Sequence, residues 1–259
     1  MSERLDGVGA LLLDLSGVLY VQEEAVPGAR EALERLRSSR LGIRLVTNTT
    51  MRSRRQILQR LERLGLEAEP EELLTPAALA ARRCREAGHS RVHLLVADDL
   101  REDLSELEEG EGDVDAVVMG DLGEGFTYEV LNEAFRKVRA GAELIALQKN
   151  RYWETAEGLS LDAGPFVAAI EYAADREAVV VGKPSEAFFE LALSDLGVEP
   201  SAAAMVGDDV EADIGGALDA GIAGILVRTG KYREEDVRAS GIEPTATVDS
   251  IAQVPGLLV

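Results

Sequence analysis

The sequence predicts an α/β protein in which a doubly wound parallel sheet carries a second, inserted α/β domain. Three observations lead to this fold class. Unbroken apolar runs such as A-L-L-L at residues 10–13 are typical of strands buried on both faces of a parallel sheet. Amphipathic segments with helical spacing alternate with these runs, as in successive βαβ units. The pattern changes near Pro76 and the first pattern returns near Ala178, which indicates an insertion of about 100 residues.

Each element of the first part follows from a local pattern. A first strand ends at Asp14, and a helix with Leu33 and Leu36 on one face follows it. A strand over residues 43–48 and a helix closed by Gly65 complete this part, because glycine readily takes the left-handed conformation that ends a helix.

The middle of the chain contains a second set of alternating elements. Its predicted helices cover residues 77–87 and 128–139 and resume after Gly164-Pro165, and its predicted strands cover residues 92–97, 114–121 and 143–148. The later predicted strands cover residues 178–184, 203–209, 224–231 and 246–248. We therefore expect a Rossmann-like core formed by residues 1–76 and 181–259, with an inserted domain at residues 77–180.

The composition is that of a soluble globular protein, with 46% hydrophobic and 29% charged residues and no apolar run near the ~20 residues of a membrane span. The start, M-S-E-R-L-D-G, lacks the pattern of a leader peptide, so we expect a cytoplasmic protein. A net charge of −21 argues against a nucleic-acid partner. Cys84, His89 and His93 form no ligand set for structural zinc, so chemistry is expected from carboxylates, hydroxyls and lysine.

Polar residues follow four of the predicted strands, at the point where each strand ends. Because the carboxyl ends of parallel strands share one edge of a sheet, we expect these side chains to meet there. The set consists of Asp14 with Ser16 and Gly17, Thr47 with Asn48, Lys183, and Asp208 with Asp209 and Asp213. An ordered set of this kind is far more specific than any of its members.

Carboxylates placed close together repel one another unless a cation lies between them. A hard divalent ion with oxygen ligands removes this repulsion, so the acidic set predicts Mg²⁺ bridging Asp14 and Asp208. With this ion and Lys183 present, a phosphoryl group can approach an anionic nucleophile. Backbone N–H groups after Asp14, the Thr47 hydroxyl and the Asn48 amide can donate hydrogen bonds to the phosphoryl oxygens.

Simpler structural roles are open for several of these residues. Asp14 precedes a sequence that also suits a tight turn, and Asp208 and Asp209 can cap the helix that follows them. Asp213 falls inside that helix, so we expect it to hold Lys183 or a metal-bound water rather than the ion itself.

The segments D-L-S-G-V-L-Y, V-T-N-T-T, V-V-G-K-P-S and G-D-D-V-E-A-D resemble, in this order, the motifs of the haloacid dehalogenase-like phosphatases. The insertion resembles the cap of the subgroup that includes nucleotide, sugar-phosphate and pyridoxal-phosphate phosphatases. The resemblance implies Mg²⁺ as cofactor and a covalent aspartyl-phosphate on Asp14. The implied metal ligands are Asp14, Asp208 and the Ser16 carbonyl; the implied phosphate-binding residues are Asp14, Ser16, Gly17, Thr47, Asn48 and Lys183; Asp209 and Asp213 support them. We expect a small phosphorylated substrate or a phospho-amino acid, and leave open whether the chain forms a homodimer.

Ser16 departs from this family, in which most phosphatases have a second aspartate that serves as general acid and base. A positioned acid or base contributes about 10²- to 10⁴-fold, so we expect alkyl esters to be poor substrates and pyrophosphate, phosphoramidates and aryl phosphates to be better ones. A catalytically weak phospho-ligand binding or regulatory protein with the same pocket is the alternative. A receiver-type signalling domain also groups aspartates with Thr and Lys, but the insertion argues against it.

The loop K-N-R-Y-W at residues 149–153 allows two interpretations. Arg151, Tyr152, Trp153 and, further along the chain, Asp162 can roof the substrate pocket, or the loop can form part of the core of the inserted domain around the one tryptophan. The sequence does not separate these two interpretations.

Overall fold

The computed structural model describes residues 5, 7–155 and 158–258. The chain forms two compact units. The first unit comprises Met1–Thr47, Arg55–Leu74 and Lys183–Val259, and the second comprises Asn48–Arg54 and Thr75–Gly182. Residues 48–54 belong to the second unit, whereas the sequence analysis places them in the first part of the core.

Helices and strands alternate along both units. The described strands are β1 (Ala10–Asp14), β2 (Tyr20–Val21), β3 (Glu24–Ala25), β4 (Gly42–Val46), β5 (Leu73–Leu74), β6 (Arg91–Leu95), β7 (Glu108–Glu109), β8 (Ala116–Met119), β9 (Glu143–Ala146), β10 (Tyr152–Thr155), β11 (Gly158–Leu161), β12 (Val179–Val180), β13 (Ala203–Gly207), β14 (Ala223–Val227) and β15 (Ala246–Val248). The described α-helices are α1 (Ala29–Ser38), α2 (Arg54–Arg63), α3 (Pro76–Ala87), α4 (Tyr128–Ala140), α5 (Ala163–Ala174), α6 (Glu186–Leu196), α7 (Gly216–Asp219), α8 (Glu234–Ser240) and α9 (Pro255–Leu258). A π-helical turn, Val210–Gly215, precedes α7.

The first unit is built on a six-stranded sheet with the order β15-β14-β13-β1-β4-β5. All of its strand pairs are parallel. The chain runs from β1 towards β5 and later returns on the other side of β1, through β13 towards β15. The strand order therefore reverses between β1 and β13, which is the place where open parallel sheets bind ligands.

Helices cover this sheet because their apolar residues recur on one face. In α1, Leu33 and Leu36 are buried, and in α2 Ile57 and Leu61 are buried against the same hydrophobic core. The central strand β1 is buried throughout, as its apolar run predicts: its five residues are all in the interior.

The second unit contains a five-stranded parallel sheet with the order β12-β9-β8-β6-β7 and a separate antiparallel hairpin, β10 and β11. In α3, the Thr75 hydroxyl accepts a hydrogen bond from the Ala78 N–H at 3.3 Å, and Gly88 ends the helix with φ 73°. These are the start and stop signals that the sequence predicts for helices. Among the residues that the structure describes, no helix has both the length and the apolar character needed to cross a bilayer.

Two predicted elements are wrong in position. The strand expected at residues 178–184 is shorter, since only β12 (Val179–Val180) forms there. β12 pairs with β9 in the second unit rather than with a strand of the first sheet. The helix expected after Gly164-Pro165 begins earlier, at Ala163, because Asp162 caps it. Lys183 therefore belongs to a loop, and Pro184, which lacks an N–H group, is unsuited to continue a strand there.

Candidate active site

Asp14 is the last residue of the central strand β1, and its side chain is buried. The Nζ atom of Lys183 donates a hydrogen bond to Asp14 Oδ1. The other carboxylate oxygen, Oδ2, accepts no hydrogen bond from the described residues. A buried acid with one oxygen held and one oxygen left available is suited to act as a nucleophile or as a metal ligand.

Asp208 lies beside Asp14 because it directly follows β13, the strand next to β1 in the sheet. The register pairs Leu13 with Val206, so Asp14 and Asp208 both leave the sheet at its carboxyl edge. The Lys231 N–H donates to Asp208 Oδ2 at 2.6 Å. As at Asp14, one carboxylate oxygen, Oδ1, takes no hydrogen bond from the part of the chain that the structure describes.

Asp213 lies on the π-helical turn that follows β13 and is only 2% exposed. Its Oδ1 accepts a hydrogen bond from Lys183 Nζ at 2.7 Å, and its Oδ2 accepts from the N–H groups of Asp208 at 3.2 Å and Asp209 at 3.1 Å. Both oxygens are therefore engaged within the protein. This geometry supports the expected role of Asp213, which is to hold the lysine and the loop rather than to bind an ion directly.

The three carboxylates carry more negative charge than the single lysine neutralises. Oxygen atoms of Asp14, Asp208 and Asp213 lie within 4.8 Å of one another. Burial raises the pKa of Asp14 to about 7. The positive charge of Lys183 acts to lower this pKa, and the negative charges of Asp213 and Asp208 act to raise it further. Burial, together with Asp213, likewise raises the pKa of Asp208 to about 6. A divalent cation would relieve this repulsion, and an all-oxygen donor set fits Mg²⁺.

Asp209 contacts different partners from its neighbours. Its Oδ1 accepts from the N–H groups of Glu211 at 3.2 Å and Ala212 at 3.0 Å, and its Oδ2 lies 3.2 Å from Lys231 Nζ. Burial alone would raise the pKa of Asp209, but the Lys231 charge and the backbone N–H groups outweigh it and hold the pKa below its usual value. Asp209 thus caps the π-helical turn and is unsuited to donate a proton at neutral pH.

The loop after Asp14 uses most of its own N–H groups for backbone bonds. The Leu15 N–H donates to Val46 O at 3.2 Å, and the Gly17 N–H donates to Tyr20 O at 2.7 Å. The predicted phosphate contact of Gly17 is therefore not available to its N–H group. Ser16, whose side chain is exposed, keeps an N–H group without an acceptor among the described residues, and it is the better placed donor.

Thr47 and Asn48 fall on the two sides of a unit boundary. Thr47 is buried and directly follows Val46, the residue that pairs with Asp14 in the sheet. Asn48 is half-buried and belongs to the second unit. The phosphate-binding roles of both residues stay predictions.

The residues expected near a roof of the pocket have mostly local contacts. Asp162 accepts hydrogen bonds from the Ala163 N–H at 2.7 Å and from the Gln148 side chain, which makes it the N-cap of α5. Arg151 and Tyr152 are exposed, and the side chain of Trp153 lies outside the described part of the chain. The roof interpretation stays a prediction for all four residues, Arg151, Tyr152, Trp153 and Asp162.

Sequence reasoning missed the segment Thr229, Gly230 and Lys231. Besides the Lys231 contacts, the Thr229 hydroxyl donates to Gly17 O, so this loop touches both site loops of the first unit. The available signal was the scarcity of lysine: the chain has only four, and Lys231 lies just past the end of β14.

Comparison with known proteins agrees with this geometry. The sequence profile described as haloacid dehalogenase-like hydrolase matches residues 11–108, and a HAD-hydrolase-like profile matches residues 180–254. Human haloacid dehalogenase-like hydrolase domain-containing protein 2 is 47% identical over 241 residues, which cover 93% of this chain and 92% of that protein. The chain belongs to the haloacid dehalogenase-like hydrolases.

Further relatives of this haloacid dehalogenase-like hydrolase are named as phosphatases. Bovine phospholysine phosphohistidine inorganic pyrophosphate phosphatase is 41% identical over 262 residues, which cover 99% of this chain and 96% of that protein. The crystal structure of a 4-nitrophenylphosphatase from Thermotoga maritima matches with a TM-score of 0.89 and 27% identity, over 97% of this chain and 98% of that one. The expected family and fold class are confirmed, and the chain is a phosphoric ester hydrolase.

Proposed function

We propose that this hydrolase is a magnesium-dependent phosphatase that forms a covalent phosphoryl group on Asp14 and favours substrates with good leaving groups. The observation that carries the proposal is the convergence of three buried carboxylates and one buried lysine at the point where the strand order of the sheet reverses. Oδ2 of Asp14, which accepts no hydrogen bond within the described part of the chain, supports its role as the nucleophile.

The reaction has two steps. A carboxylate oxygen of Asp14 attacks phosphorus, and the bond from phosphorus to the leaving group breaks, so that the leaving group departs with the electron pair. Water then attacks phosphorus, the bond from phosphorus to the Asp14 oxygen breaks, and the carboxylate is restored as inorganic phosphate leaves with the protons of the water. Lys183, fixed by Asp213, lies where it can neutralise negative charge on the transferring group.

Mg²⁺, when bound, supplies charge neutralisation for the acidic cluster and for the phosphoryl oxygens. The residues that would hold it are Asp14 and Asp208, each with an oxygen that is free of hydrogen bonds from described residues, and the Ser16 backbone carbonyl. Asp213 supports these ligands through the Asp208 N–H group and Lys183.

Among the residues that the structure describes, none is suited to protonate the leaving group at this site. Ser16 stands where most phosphatases of the wider family are expected to have an aspartate, and Asp209 is held ionised by Lys231 and backbone N–H groups. Substrates whose leaving group departs without a proton should therefore react fastest. The relatives' names fit this expectation, because pyrophosphate and nitrophenyl phosphate release stabilised anions, and a phosphorylated amine side chain that is already protonated on nitrogen releases a neutral amine. We accordingly place the substrate among small phosphorylated molecules, including phospho-amino acids.

The covalent mechanism and the metal are tested together on an aryl phosphate. We expect Asp14→Asn to lower kcat by at least about 10³-fold because the nucleophile is lost while the shape is kept. Asp208→Ala should raise the Mg²⁺ concentration needed for half-maximal activity, and EDTA should abolish turnover of the unmodified protein. Asp121→Asn, in the second unit, is the control for a buried aspartate outside the cluster. Full activity of folded Asp14→Asn protein, or of metal-free protein, would contradict the proposal.

The role of Ser16 is tested by comparing leaving groups. We expect kcat/KM to be far higher for an aryl phosphate than for an alkyl phosphate, and Ser16→Asp to help the alkyl ester selectively, by up to about 10²- to 10⁴-fold. Equal rates on both substrates in the unmodified protein would show that another group supplies the proton. Negligible turnover of every substrate, with phosphate still bound, would instead support a phospho-ligand binding protein.

A further inference from the structure

One segment outside the proposed catalytic set contacts both site loops of the first unit. Residues 229–231, here called the 229–231 segment, directly follow Arg228 at the end of the β14 strand region. The Thr229 hydroxyl donates a hydrogen bond to Gly17 O, and the Lys231 N–H donates to Asp208 Oδ2 at 2.6 Å. The segment thus links the loop after Asp14 with the side chain of Asp208.

Gly230 brings this segment unusually close to the acidic cluster. Its φ is 63°, in the left-handed region that favours glycine, and a Cβ atom there would overlap the carboxylate of Asp208 and the backbone of Gly17. Gly17 has φ 87°, and a Cβ atom at Gly17 would overlap the same carboxylate. The Asp208 carboxylate therefore packs against two glycine backbones, which restrict its rotation.

The hydrogen bond from Lys231 decides which oxygen stays available. Because Oδ2 of Asp208 accepts the Lys231 N–H, Oδ1 is the oxygen left for another partner. A backbone donor cannot be replaced by a water without moving the loop, so the carboxylate is held in one orientation before any ligand binds. Such pre-orientation by neighbouring groups commonly sets how tightly a metal site binds.

We propose that the 229–231 segment is a positioning element that orients Asp208 for Mg²⁺ and thereby sets the affinity of the site for this ion. The inference rests on the proposed function for the identity of the ion. It adds to the proposed metal site three residues that act indirectly, through Asp208 and Gly17. The Lys231 side chain takes no part in this positioning of Asp208, because it is largely exposed and its Nζ pairs with Asp209.

The experiment measures Mg²⁺ binding to the full-length protein by isothermal titration at pH 7.5, with the metal alone as probe. Gly230→Ala should raise the Kd for Mg²⁺ about 10- to 100-fold, the range typical for groups that orient metal ligands. Gly241→Ala is the matched control, because Gly241 has φ 67° and no atom near its Cβ position. It carries the same backbone strain and should leave the Kd within about twofold of the unmodified value.

A second pair of variants, with smaller changes, tests the inference if the Gly230→Ala protein fails to fold. Thr229→Val removes the hydroxyl that donates to Gly17 O, and Thr245→Val removes a hydroxyl that accepts from the Gly224 N–H at 3.0 Å, away from the acidic cluster. Thr229 is half-buried and Thr245 is exposed. We expect Thr229→Val to weaken Mg²⁺ binding and Thr245→Val not to, while melting temperatures in EDTA fall similarly for both variants.

Some outcomes separate this inference from the proposed reaction. Weaker Mg²⁺ binding in Gly230→Ala or Thr229→Val than in its control supports the positioning role, even where no phosphate ester is hydrolysed by any form. Equal Kd values for each variant and its control would overturn the positioning role and leave the phosphatase proposal standing. No Mg²⁺ binding by the unmodified protein would overturn the inference as well.

Discussion

Buried aspartates occur in both units of this protein, but their surroundings differ. In the second unit, Asp121 accepts the Gly123 N–H at 2.8 Å, and Asp162 caps α5 and accepts from Gln148. Each of these carboxylates is served by donors close to it in its own fold region. In the first unit, Asp14 and Asp208 stand with a third carboxylate around one lysine, and each keeps an oxygen without a donor among the described residues.

Burial of a carboxylate is therefore not enough to identify a metal-binding or catalytic site. An N-cap aspartate is a structural device whose charge is satisfied by backbone N–H groups. Carboxylates that share too little positive charge remain under repulsion, and that repulsion is tolerated where a cation or a reacting group is to bind. Burial, to which this repulsion adds, raises the pKa of Asp14 to about 7 and that of Asp208 to about 6.

The largest expected effect comes from removing the buried lysine of the acidic cluster, compared with removing a buried lysine of the second unit. Lys183→Met leaves three buried carboxylates without their cation, so we expect the free energy of unfolding in EDTA to fall by about 3–5 kcal/mol. Lys137→Met removes a lysine that is also buried, but its partner Glu133 is 54% exposed and water can solvate it. We expect a loss of at most about 1 kcal/mol there. Urea denaturation at pH 7.5 measures both, and equal losses would contradict the distinction between the units.

The next effect is a dependence of Mg²⁺ stabilisation on pH. The pKa values of Asp14 and Asp208 lie above the 3.8 of the unfolded chain, so between about pH 4 and pH 7 the folded protein binds more protons than the unfolded one. Stability of metal-free protein should therefore decrease as the pH rises through this window. Mg²⁺ requires the deprotonated carboxylates, so its stabilising effect should increase over the same window.

Melting temperatures with and without Mg²⁺ check this second expectation. At about 100 times its Kd, the ion should raise the melting temperature by about 5–10 °C at pH 8 and by much less at pH 5. Asp14→Asn protein removes one of the two titrating groups and should show a weaker pH dependence. A Mg²⁺ effect of the same size at pH 5 and pH 8 would show that the ion does not bind these acids.

The smallest effect is expected at a capping aspartate. Asp162→Ala should lower the free energy of unfolding by about 1 kcal/mol, the typical contribution of an N-cap, and leave Mg²⁺ affinity unchanged. Thr127→Ala is the matched control, because Thr127 caps α4 by accepting the Val130 N–H at 3.4 Å. Thermal unfolding and Mg²⁺ titration of both variants give the comparison. A clear loss of Mg²⁺ affinity in Asp162→Ala alone would mean that this residue does more than cap its helix.

The alternating α/β fold can be predicted from the sequence alone, and so can the acidic residues at the carboxyl ends of its central strands. Apolar runs of the length of β1 and β13 have few alternatives to a buried parallel strand, and Asp14 and Asp208 occupy the residues at which these strands end. The ordered motifs then identified the family. This information is local in the chain, so it can be read without knowledge of tertiary contacts.

Which hydrogen-bond donors each acidic residue contacts is visible only in the tertiary structure. Sequence reasoning assigned Asp208 to the ion and Asp209 to a supporting role, but it did not predict that Asp209 pairs with Lys231 and backbone N–H groups. Nor did it predict that β12 joins the second sheet, or that residues 229–231 approach Gly17. These contacts join residues far apart in the chain, and whether they form depends on close packing in which a single Cβ atom would cause overlap.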